Sequence, residues 1–224
     1  MKHYSASPCR FLHNDREQKV AHKFVAVRTG LALCMGCLMF VSPARAADID
    51  GVRVEEKITL EGGTPLVLNG AGIRYKLAFL KLYVGALYLP AKKTNAEEII
   101  NDGGAKRIAM FVLADEITAK ELVASLNNAL AANHIPAQLA LIEERLRELN
   151  RMMMAEGVLK KGAVVTLSYQ PATGTHIRIN SEEKLVIKGE DFFRALLRIW
   201  IGDKPVDGRL RGAMLGGSGA FTLF

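Results

Sequence analysis

Hydrophobic positions change period along this chain, and the changes mark its elements. In residues 52–60, Val52, Val54, Ile58 and Leu60 share one parity, and Glu61-Gly62-Gly63 follows. That pattern predicts a strand closed by a turn. Pro65–Leu68 reads as a short strand ended by Asn69-Gly70, a strong turn signal. Gly72–Leu89 is aromatic and aliphatic up to Pro90. It predicts one long strand, or two joined by a bend. A short helix is expected at Ala96–Ile100, and the unbroken apolar run Ile108–Leu113 reads as a buried strand.

The period then turns helical. Thr118-x-x-Glu121 is a capping box, in which hydroxyl and carboxylate satisfy each other's orphan N–H groups. Leu122, Leu126 and Leu130 recur behind it at i+4. Pro136 opens a second helix, where its missing N–H is not needed. Leu139, Ile142, Leu146, Leu149 and Met153 form one face of that helix, the charged run Glu143–Glu148 fills much of the other, and Gly157 is its expected stop. Period two returns in Ala163–Tyr169, Thr175–Asn180 and Lys184–Lys188, whose hairpin-length links make an antiparallel meander. A last long helix, Glu190–Ile201, turns Phe192, Leu196, Ile199 and Trp200 inward, and a shorter one follows at about Gly208–Leu215. Strands grouped with strands and helices with helices give an α+β class, an antiparallel sheet with helices on one face.

The N-terminal quarter has a different character. Residues 1–29 are polar and basic, Gly30–Val41 is an apolar run, and Ala44-x-Ala46 is a small-x-small cleavage site. This order reads as a secretory leader over residues 1–46, followed by one domain over 47–224. The run is about half of the ~20 residues that a spanning helix needs, so no stable membrane span is expected after cleavage. The leader changes the charge picture. It holds seven of the 30 basic and two of the 23 acidic residues, leaving 23 against 21 and a balance near +2. A nucleic-acid partner is therefore not expected, since phosphate binding needs a concentrated basic surface. Cys9, Cys34 and Cys37 all fall in the leader. The remaining domain is expected to have no disulfide, thiolate metal site or cysteine nucleophile. A periplasmic or secreted location follows.

Common catalytic signatures are missing: there is no GxSxG, P-loop, GxGxxG or HExxH. His134 and His176 are far apart and read as ordinary imidazoles. No metal or cofactor is expected. The paired acids, such as Glu97-Glu98 and Glu182-Glu183, read as solvated surface, and Met152-Met153-Met154 as core packing. The informative stretch is Gly70-Ala71-Gly72-Ile73-Arg74-Tyr75, followed by Phe79–Leu89 (FLKLYVGALYL). An arginine in so apolar a region needs a partner. Two uses fit: a structural ion pair, or a guanidinium whose planar fork awaits a carboxylate. On one regular strand Arg74 and Tyr83, nine apart, would face opposite sides. They converge only if the chain bends, near Lys76–Ala78.

These motifs, together with the apolar helix ending Leu197–Gly202 and the terminal Ala213-Met214-Leu215, resemble the chalcone isomerase superfamily over about residues 50–216, most of all its bacterial secreted chalcone isomerase-like members. The resemblance implies an open-faced β-sandwich, a large antiparallel sheet backed by a layer of helices. In the family's plant enzymes, which close a chalcone to a flavanone, the arginine of the glycine-arginine motif holds the reacting phenolate; Arg74 stands there. Lys120 matches the enzymes' helix lysine. The catalytic tyrosine three residues earlier is Ile117 here, the threonine-methionine pair before the final Ile-Gly is Ile199-Trp200, and Tyr83 replaces a threonine. An enzyme needs such donors to hold developing charge. Non-catalytic relatives bind fatty acids, with an arginine and a tyrosine on the carboxylate.

The expected ligand-binding residues are thus Arg74, Tyr83, Lys120 and Tyr75, with Arg74 the group that acts if the protein is enzymatic. Three functions remain open at this level. One is a binder of a small hydrophobic acid such as a fatty acid, another a lyase or isomerase acting on an unsaturated ketone, and the third a structural protein with a closed pocket.

Overall fold

The computed structural model describes residues 46–217. The basic segment, apolar run and cysteines assigned to a leader lie outside them. Alternation in the central strands sorts side chains onto the two faces of a seven-stranded antiparallel sheet. Its strands are β3 (Lys57–Thr59), β4 (Pro65–Lys76), β5 (Leu80–Leu89), β6 (Lys106–Val112), β9 (Val164–Gln170), β10 (Gly174–Ile179) and β11 (Glu182–Ile187). Their spatial order is β11-β10-β9-β6-β5-β4-β3. Tyr83, Leu87, Met110, Val112, Val165, Leu167 and Ile177 face the helices and form the larger core. Val84, Ala86, Tyr88 and Ala109 face the other way. There they meet Val54 of β2 (Val52–Glu55), which pairs with β1 (Ala46–Ile49) in a separate hairpin.

The first helix, α1 (Ala96–Asn101), links β5 to β6. β6 and β9 are sheet neighbours, yet a long excursion separates them in sequence. It contains β7 (Glu116–Thr118), α2 (Ala119–Asn133), α3 (Pro136–Ala140), α4 (Glu143–Glu156) and β8 (Val158–Lys160). The capping box of α2 is formed as its sequence requires, with Thr118 and Glu121 bonded reciprocally. Gly157 ends α4 with φ +72°. After the meander, α5 (Glu190–Ile201) buries Phe192, Leu196, Ile199 and Trp200 as its apolar stripe demands, and α6 (Gly208–Met214) closes the fold.

Three sequence readings are corrected, and one strand pairing is new. Asn69-Gly70 does not turn the chain, because β4 continues through it, with a shift of register against β5 at Asn69. Asn69 is instead a buried clamp. Its amide donates to the carbonyl oxygens of Lys93 (2.8 Å) and Met214 (2.7 Å), and its Oδ1 accepts from the Lys93 N–H. Gly70 is needed for close approach, since a Cβ there would run into the carbonyl of Ala213 in α6. The strand expected over 52–60 is two pieces, β2 and β3. The helix expected from Pro136 is also two, broken at Leu141-Ile142, where Ile142 turns into the core and Leu141 out to solvent. Finally, β7 and β8 pair into a small sheet that their three-residue lengths did not announce.

Candidate functional site

The β4–β5 hairpin builds the site. Its turn at Leu77–Phe79 supplies the bend that lets Arg74 and Tyr83 meet. The two become direct cross-strand partners, next to a register shift at Arg74/Tyr75. Gly70, Gly72 and Arg74 share one parity on β4, and Gly85 and Tyr83 lie opposite on β5. The glycines admit α6: a Cβ on Gly72 would stand 2.7 Å from Ala213 Cβ, and one on Gly85 2.8 Å from Met214 Cε. Where the glycines end, Arg74 and Tyr83 begin, and the sheet is no longer covered by α6. Asp207, the N-cap of α6, ties the two together by accepting from the Tyr75 N–H at 2.9 Å.

Two spaces meet at this point. The inner one, about 70 Å³, is walled on the helix side by Leu122, Leu126, Leu149, Met152 and Met153 and on the sheet side by Met110, Val165, Leu167 and Ile177. It exceeds the ~10–15 Å³ that one water needs, but its walls offer few polar partners. The outer one, about 630 Å³, opens between α2 and the 204–206 loop, and the Lys76–Glu121 ion pair (3.2 Å) crosses it. Arg74, Tyr83, Leu122 and Ser125 belong to both, so they form the neck.

The neck is rich in donors. Arg74 Nη2 donates to Ser125 Oγ at 2.9 Å, and its guanidinium lies 5.5 Å from the Tyr83 ring centre. Arg74 Nε is buried without a hydrogen-bond partner, and no carboxylate among the described residues pairs with this arginine. Tyr83 is only 3% exposed. Trp200 Nε1, itself a pure donor, donates to the Tyr83 hydroxyl at 2.9 Å. The phenol's own proton is therefore left to point elsewhere. Burial pushes the Tyr83 pKa up, against the Arg74 charge and the Trp200 bond, which pull it down. The phenol thus stays neutral and able to donate. Convergent donors at the neck suit holding an anion, while the greasy inner space suits an apolar chain.

Sequence reasoning placed Arg74 and Tyr83 here, but the structure does not bring Lys120 or Tyr75 to the lining. Lys120 is exposed, about 100° around α2 from Ala119, which does line the inner space. Tyr75 packs instead under the guanidinium of Arg209, 4.4 Å from its ring centre. Ser125 and the Trp200–Tyr83 bond escaped the sequence. The one signal for Ser125 was a hydroxyl three residues after Leu122, on an otherwise apolar helix face. Met152 and Met153 wall the inner space rather than simply filling the core.

Among the described residues, one group elsewhere has the composition of a cation site: Glu61, His176 and Glu183 bring ligand atoms within 4.8 Å of one another. Their bonds account for them otherwise. Arg178 pairs with Glu61 and lies 3.6 Å from Glu183, while His176 is held by Thr173 and Glu183.

A family described as chalcone isomerase-like matches residues 46–216. Among solved structures, a fatty-acid binding protein of Arabidopsis thaliana superposes with a TM-score of 0.51 at 15% sequence identity, covering 71% of this chain and 96% of that one. No curated protein matches the sequence.

Proposed function

The chain belongs to the chalcone isomerase-like family, and on that premise we propose that it is a non-catalytic binder of a small apolar carboxylate, such as a fatty acid, in the periplasm. One observation carries the reading: Arg74 is held at the neck of a greasy cavity by neutral groups alone, with Nε buried and unpartnered. A carboxylate at the neck would take donors from Arg74 and Tyr83 and send its chain inward along Leu126, Leu149 and Leu167. The fatty-acid binding neighbour supports this ligand class. Against catalysis stand Ile117 and Ile199, which present methyl groups where the resemblance to the enzymes would call for donors. The leader-like N-terminus supports export.

The test is displacement of a fluorescent fatty acid from the purified protein. Wild type should bind, Arg74→Met should bind far more weakly, and a fatty alcohol of equal length should not distinguish the two. Equal affinity of both proteins for the acid would remove the proposal. Native mass spectrometry should also find a lipid co-purifying with wild type.

A further inference from the structure

The tip of the β4–β5 hairpin is apolar and unusually exposed. Leu77 is 72% and Phe79 69% accessible, and Leu80 beside them also faces solvent. Leu77 and Ala78 hold φ of +52° and +67°, a conformation that Asn and Gly adopt with less strain. The turn therefore keeps large apolar side chains where small polar ones would fit the backbone better. Large apolar side chains so exposed at a hairpin tip form a knob suited to a deformable phase rather than to a preformed pocket.

Cations surround the base of the knob. Lys76 and Lys81 flank it, and Arg209 reaches the Ala78 carbonyl at 3.4 Å. Lys76 and Lys81 hold Glu121 and Asp50 in exposed pairs, which are weak enough for lipid phosphates to replace. Lys76 also lines the outer mouth of the cleft. Knob, cationic collar and mouth are thus contiguous, and long stems such as lysine's keep their charge at the headgroup level while apolar neighbours go deeper.

We infer that this hairpin tip inserts into the headgroup–acyl boundary of an anionic phospholipid bilayer, setting the cleft mouth against the phase that holds its amphiphile. The inference deepens the carboxylate-binding reading and rests on it for the direction of traffic, but the membrane contact itself does not depend on Arg74.

The experiment uses the full chain carrying Phe79→Trp. Vesicles of phosphatidylcholine and phosphatidylglycerol, 3:1, should shift the new tryptophan's emission to the blue, and brominated acyl chains should quench it. Wild type, whose single tryptophan Trp200 is buried, should show neither change. Leu77→Ser/Phe79→Ser should lower the vesicle partition coefficient on the order of tenfold and leave fatty-acid affinity in vesicle-free solution unchanged, since neither residue lines the cleft. An emission spectrum of Phe79→Trp that vesicles do not move overturns the inference, and is the result expected of a tip that docks on a protein. Arg74→Met should still bind vesicles, so failure of the carboxylate reading and failure of the membrane contact are read separately.

Discussion

Replacing Arg74 by Met should weaken ligand binding while leaving the fold about as stable. Methionine keeps much of the arginine's length and its apolar stem, so little packing is lost. On the binding side, a hydrogen bond to a charged group is worth about 1.5–3 kcal/mol, which predicts carboxylate affinity lower by roughly 10- to 150-fold. On the folding side, two contributions disappear. One is the bond to Ser125 Oγ; the other is the contact with the Tyr83 ring, worth about 0.5–1 kcal/mol. Against them stands relief from holding a half-buried charge with no counter-ion, which costs part of the several kcal/mol of a fully buried ion. With the lost contacts at about 2–4 kcal/mol, the two sides nearly cancel, and Tm should move by no more than roughly 2–4 °C for a domain this size. Thermal unfolding of ligand-free protein, alongside the displacement assay, measures both. A variant that binds as wild type but melts several degrees lower would refute the reasoning, because Arg74 would then be a structural residue.

Three further outcomes follow from the same geometry. Gly70→Ala should lose about 3 kcal/mol, since its Cβ meets the Ala213 backbone and overpacking typically costs about 1–3 kcal/mol; Gly212→Ala, with open space around it in α6, should gain up to about 1 kcal/mol, and equal melting of the two would dismiss the close-approach account. Trp200→Phe and Tyr83→Phe should each destabilise by about 1–3 kcal/mol, while the double variant loses about 1 kcal/mol less than the sum; strict additivity in denaturant unfolding would mean that the buried bond contributes nothing. The fold should also weaken above pH 10. Burial raises Tyr88 to about 12 and raises Tyr83 as well. Below pH 10 both phenols are neutral folded or unfolded, and their contribution is complete. Above it the unfolded chain releases its protons while folded Tyr88 keeps its own to about 12, so stability falls through that window, by up to about 3 kcal/mol for Tyr88. Tyr88→Phe should flatten the decline, and an unchanged pH profile would count against it.

Much of the fold was legible because it rests on short-range rules. The box at Thr118–Glu121, the stripe of α5 and the alternation of the meander each follow from neighbours within four residues. Sequence alone also picked out Arg74 as a cation in apolar surroundings, and posed its two meanings: paired within the protein, or reserved for a ligand. The answer lies beyond local pattern, because a guanidinium's partners lie on elements distant in sequence. Ser125 comes from 51 residues away, and the Trp200–Tyr83 bond spans 117. The same holds for Asn69-Gly70. Local propensity reads the pair as a turn, but the carbonyls of Met214 and Lys93 and the close approach of α6 keep it extended. Local pattern fixes which side of each element is greasy; only packing determines what that side meets, and where a charge is left without an answer.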